Sequence, residues 1–144
     1  MSKLIFVNLP VTDLQRSTAF YEAIGAEKNP QFSDDTAACM VLSETIHVML
    51  LTHDKFRQFT PKPIANAHES SEVLICVSED SREGVDRMTE RALASGGREA
   101  RDRQDYGFMY SRSFEDPDGH IWEPLWMDVE AAQAAMTQPQ PVQA

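Results

Sequence analysis

The chain has 144 residues, 42% of them apolar and 25% charged, and a formal net charge of −10. That is the make-up of one ordinary globular domain, or of two half-sized modules sharing a core. An acidic balance without a lysine or arginine stripe argues against a nucleic-acid partner, whose affinity rests on phosphate neutralisation, and no apolar run nears the roughly 18 residues of a membrane span.

In chain order, the short apolar run Leu4 to Leu9 reads as a first strand and not as a secretory segment, so the default compartment is cytoplasmic. Thr12 or Asp13 then caps a helix whose apolar face carries Leu14, Phe20, Tyr21 and Ile24 and which Gly25 stops. Thr36 to Leu42 and Thr45 to Thr52 read as strands around a Ser43-Glu44 turn. His53 to Ser71, polar and broken by Pro61 and Pro63, reads as a crossover with a helical turn or two.

From Val73 the plan repeats. Val73 to Val77 is apolar, Ser78 to Ser81 caps, and a helix over 82–95 carries Val85, Met88, Ala92 and Leu93 on one face before Gly96-Gly97. Strands over 98–103 and 107–115 lead to Asp116-Pro117-Asp118-Gly119, a hairpin turn by composition, and to a last strand from His120 to Met127. Val129 to Met136 predicts a short helix, and the Pro/Gln-rich tail from Thr137 should fray. The expected organisation is a module over 1–53, a crossover over 54–71, a second module over 72–128, and a helix with tail over 129–144. Cys39 and Cys76 lie in apolar runs and are expected as buried, strand-borne thiols.

Two stretches carry a resemblance. Val11-Thr12-Asp13-Leu14-Gln15-Arg16-Ser17-Thr18-Ala19-Phe20-Tyr21 resembles the first strand-to-helix junction of glyoxalase-like proteins, and Phe114 to Glu123, with its Asp-Pro-Asp-Gly, resembles their last hairpin. Together they make the chain similar to the glyoxalase/bleomycin-resistance/extradiol-dioxygenase superfamily, the vicinal oxygen chelate fold, over most of Lys3 to Asp128. The resemblance implies an α+β fold of two βαβββ modules whose mixed sheets form a shared cup, and a homodimer. Members include metal-dependent lyases, isomerases and ring-cleaving dioxygenases, and others that sequester antibiotics without metal; fold alone does not choose among them.

Metal-dependent members draw one ligand from each of four strands. The resemblance places Phe6, Leu50, Glu72 and Glu123 at those positions, with Met49 in place of Leu50 if the register slips by one. Phenyl and isobutyl groups donate no lone pair, which leaves two carboxylates and a metal-poor cup; a divalent ion such as Mg²⁺ or Mn²⁺, held by Glu72 and Glu123 with waters, is the alternative. Of the histidines, His53 and His68 fall in or beside the polar crossover, His120 at a strand start, and His47 alternates with Met49 and Leu51 as a core residue would.

Period-two alternation sets Leu4 and Asn8 beside Phe6, Leu74 and Cys76 beside Glu72, and Ile121 and Leu125 beside Glu123. Such a cavity is mostly apolar with a few polar groups, which suits a small organic molecule. Glu72 and Glu123, if brought close, would not both ionise cheaply, and one would serve as general acid or base. Tyr110 and Arg112 share a face with Phe108 and Phe114; an arginine among aromatics suits a carboxylate or planar ring, while the face suits packing as well. Three functions stay open: a metal-poor small-molecule site with lyase or isomerase chemistry, a metal-dependent lyase or dioxygenase, and a drug-sequestering dimer.

Overall fold

The computed structural model describes residues 2–137. The first half runs β1 (Ile5–Val11), α1 (Leu14–Ala23), β2 (Glu27–Asn29), β3 (Ala37–Val41) and β4 (Ile46–Thr52). A short α2 (His53–Arg57) opens the crossover. The second half runs β5 (Ile75–Ser78), α3 (Arg82–Ala94), β6 (Arg98–Asp105), β7 (Met109–Glu115) and β8 (Ile121–Met127), followed by α4 (Val129–Thr137). The fold is α+β, with two βαβββ units. The tail expected to fray lies, from residue 138 on, outside the described residues.

Each unit forms a four-stranded mixed sheet, ordered β1-β4-β3-β2 and β5-β8-β7-β6, with its first and last strands parallel. The helix between those strands makes the parallel pairing possible, because parallel neighbours need a long crossover. Asp13 caps α1 by accepting from the Arg16 N–H at 3.1 Å, and Ser81 caps α3 by accepting from the Gly84 N–H at 3.0 Å. The charged segment Glu27-Lys28-Asn29 gives no strand signal; its pairing with β3 holds it as an edge.

One face of each sheet packs on a single core. Leu9, Val11, Met40, Val48 and Leu50 from the first sheet meet Phe20, Tyr21 and Ile24 of α1, Met88 and Ala92 of α3, and Phe114 and Trp122 of the second sheet. The Phe20 ring tilts onto Phe114 at 6.1 Å, and the Tyr21 ring meets Trp122 edge-on at 5.8 Å. Each such buried side chain contributes roughly 1.5–3 kcal/mol. Both helix-bearing faces therefore turn toward one another, and the two bare faces turn away from the common core.

The stretches that carry the family resemblance lock this arrangement. Tyr21 donates its hydroxyl to Asp116 Oδ2 at 2.6 Å and accepts from Trp122 Nε1–H at 3.0 Å. Asp116 Oδ1 accepts from the backbone N–H groups of Asp118 and His120. Asp118 in turn accepts from the Thr12 N–H and hydroxyl and from the Ser17 hydroxyl. At Gly119, φ is +91°, and a Cβ would stand 2.7 Å from His68 N and 2.8 Å from Ala67 C, so glycine both closes the turn and admits the crossover backbone.

The thiols divide. Cys39 is buried as expected, whereas Cys76 is exposed.

Candidate functional site

The bare face of the first sheet follows from register. Phe6 pairs with His47, Asn8 with Met49 and Pro10 with Leu51. Cys39 lies across from Met49 and Val41 across from His47. Phe6 is 49% exposed and stacks on the His47 imidazole at 4.6 Å, while His47 Nδ1 is buried without a hydrogen-bond partner.

Leu50 lies elsewhere. It pairs with Leu9, is fully buried and belongs to the core under α1. Its placement at a ligand position is corrected by the parallel pairing with β1, which puts His47 and Met49, not Leu50, beside Phe6 and Asn8. His47 is accordingly a half-buried residue of the open face rather than a core one.

On the second sheet, Glu123 pairs with Cys76, and Ile121 and Leu125 share its face. Arg101 of β6 reaches over this face, standing 3.5 Å from Glu123 Oε2 and donating to the Ser111 hydroxyl at 3.3 Å. Ser113, the register partner of Arg101, has a buried hydroxyl with no partner. Burial, then the Glu123 charge, pushes the Cys76 thiol up, against a smaller pull from Arg101; Cys76 is thus held as a thiol rather than a nucleophilic thiolate. Arg101 went unread in the sequence because β6 is a run of charges without hydrophobic alternation, and Ser111 because a serine on β7 carries no signal of its facing.

Glu72 and Glu123 differ in setting. Glu72 lies in a bend ahead of β5, four residues before the Cys76 that pairs with Glu123. Glu72 lines a cavity of about 290 Å³ at the seam between β1 and β5, with Asn8, Phe56, Lys62, Val73 and Ile121. Leu74 stands exposed just outside β5.

Tyr110 and Arg112 sit on the other side of the sheet. Arg112, 3% exposed, lies beneath α3, where its guanidinium meets Glu90 at 2.7 Å and Asp86 and Glu99 at 3.2 Å. Tyr110 donates to Asp86 at 2.6 Å. As substrate contacts both are corrected: they face α3, and their partners are the protein's own carboxylates.

A model of the Glyoxalase/Bleomycin resistance protein/Dioxygenase superfamily matches residues 3–123. The chain belongs to that superfamily. Among solved structures, a hypothetical protein from S. aureus is similar at 26% identity and TM-score 0.73, over 88% of this chain and 95% of that one. The fosfomycin resistance protein FosX from Listeria monocytogenes is similar at 25% identity and TM-score 0.66, over 90% and 97%. A glyoxalase-related enzyme from Fulvimarina pelagi, at 19% identity and TM-score 0.73 over 88% of each chain, shares the fold. No curated protein sequence matches significantly.

The divalent metal that the superfamily implies does not fit the residues present in one chain. Phe6 offers no lone pair and roofs the imidazole of His47. Glu123 already faces a guanidinium, and Glu72 lies ahead of β5, outside the sheet. Among the described residues no three His, Cys, Asp or Glu side chains converge as a metal cage would require.

Proposed function

We propose that this superfamily member binds a small organic molecule, without a tightly held metal, in a cup that two copies build together. The bare face of β1–β4 from one copy closes against the bare face of β5–β8 from the other. The observation that carries this reading is that the bare faces of both sheets lie on the sides opposite the core the two sheets share. Exposed Leu4, Ile5 and Phe6 on one edge and Val73 and Leu74 on another supply apolar surface for the contact.

In this cup the Phe6–His47 stack and Met49 would flank a planar or apolar ligand body. Arg101 would receive a carboxylate or carbonyl oxygen, and Glu123, freed from Arg101 by that ligand, would act as proton acceptor in lyase or isomerase chemistry. The compartment we propose is cytoplasmic; among the described residues no helix is long and apolar enough to span a membrane.

The test is a thermal-shift and calorimetric panel containing hemithioacetals, catechols, fosfomycin and bleomycin, each with and without Mn²⁺, Ni²⁺ and Fe²⁺. A true ligand at a hundredfold its Kd stabilises by about 2.7 kcal/mol, without added metal, and Phe6→Ala or Glu123→Gln weakens it about tenfold. Stoichiometric metal in the purified protein, lost on Glu123→Gln, would overturn the metal-poor part. The likeness to a fosfomycin resistance protein favours a second reading, in which the ligand of the cup is an antibiotic. Tight binding of one panel antibiotic with no turnover selects it.

A further inference from the structure

Apart from the bare faces, the junction of the two modules holds a cavity of about 690 Å³. Its walls come from the end of β1 and the start of α1, from α2, from the crossover around Pro63 to His68, and from the turn before β8. The chain has only four histidines, and three of them, His53, His68 and His120, line this space together with Arg16 and Arg57. The gathering runs against the composition, since acids outnumber lysine and arginine 23 to 13.

The acidic groups nearby are largely committed. Asp118, which lines the wall, spends both oxygens on Thr12 and Ser17. Arg16 makes no ion pair among the described residues, and its guanidinium donates only to the Thr12 hydroxyl, at 3.4 Å. Arg57 pairs with Asp54 at 2.8 Å, but that contact is exposed on both sides, and such pairs contribute little. His120 Nε2 lies 2.8 Å from the Pro10 carbonyl, which can only accept, so the contact fixes that nitrogen as the proton-bearing one.

The packing of Ala67 and His68 against Gly119 holds the crossover wall in place. Asn66 reinforces it by accepting from the His68 N–H through its side chain and from the N–H groups of Glu69 and Ser70 through its carbonyl. The donors thus sit on a formed scaffold, and Pro10, Pro63, Ile64 and Pro117 give the same cavity apolar wall.

We infer that this junction is a second ligand site, separate from the cup, and that it takes a small organic phosphate monoester. Two planar guanidiniums and the imidazole N–H groups of His53 and His68 match the three outward oxygens of a phosphate better than the two of a carboxylate. The proline-lined wall covers the organic part, and the volume lies within the range of small-molecule sites.

The experiment uses the full chain with ¹³C-labelled histidines, assigned by single His→Gln variants, and phenyl phosphate as the probe at fixed pH and ionic strength. The His53, His68 and His120 signals should move together and saturably while His47 stays still. Arg16→Gln should raise the Kd about tenfold and Arg57→Gln several-fold, with circular dichroism unchanged. Phe6→Ala should leave the titration as it is, which separates this site from the cup. Shifts that do not saturate, that acetate reproduces at equal ionic strength, or that survive Arg16→Gln and Arg57→Gln would each overturn the inference.

Discussion

The hydroxyl of Tyr21 lies between an indole N–H and a carboxylate that is itself buried, and both neighbours bear on its titration. Burial, followed by the Asp116 charge, raises the phenol well above its ordinary value of 10.0, while burial raises the Asp116 carboxyl as well. For Tyr21 the unfolded chain releases its proton first, so the stability this group contributes is complete below pH 10 and is lost as pH rises beyond it. Tyr21→Phe should therefore cost about 1–3 kcal/mol at neutral pH and flatten the alkaline fall, read by urea unfolding across a pH series. The motif residues around Tyr21 were legible as family markers. Their role as a latch was not, because it depends on a contact between positions 95 apart in the chain. Leu50 shows the opposite failure: Val48 to Leu51 is apolar throughout and hides its inward face, and only pairing with β1 decides it. Leu50→Ala should cost about 2–5 kcal/mol in unfolding free energy while leaving ligand affinity at the open face unchanged.

Element by element, the strand-helix-strand plan could be read twice over because caps, glycine stops and the Asp-Pro-Asp-Gly turn are local signals. The strands over β6 and β7 were legible too, but which of their side chains face the helix was not. The sequence Arg98 to Asp105 alternates charges, not hydrophobicity, and its fit to the sheet comes from ions: Arg82 grips Asp105 at its end, and Arg112 beneath α3 gathers Asp86, Glu90 and Glu99. An aromatic strand bearing one arginine thus reads like a ligand surface while serving as the seat of a helix. Arg112→Met removes the single cation from three carboxylates that are 40–63% exposed, which softens the penalty of stranding them. We expect a loss of about 1–3 kcal/mol, with faster amide exchange in α3 than in α1, measurable by hydrogen exchange.

At the scale of the whole molecule, duplication was plain in the sequence, but the direction of the open faces was not, since it depends on how two amphipathic helices share one core. That direction separates the residues read as one site: Phe6 and Asn8 open on one sheet, Glu123 on the other, and a cup needs both. A second copy meets that need in our account, and the Phe6 edge, half exposed in the single chain, is where it would join. Sedimentation equilibrium of the wild-type chain beside Phe6→Glu tests this most directly. The account predicts a wild-type mass of twice the 16.2 kDa chain at micromolar concentration and a folded monomer for the variant. A wild type that remains monomeric, or a Phe6→Glu chain that still pairs, would contradict it.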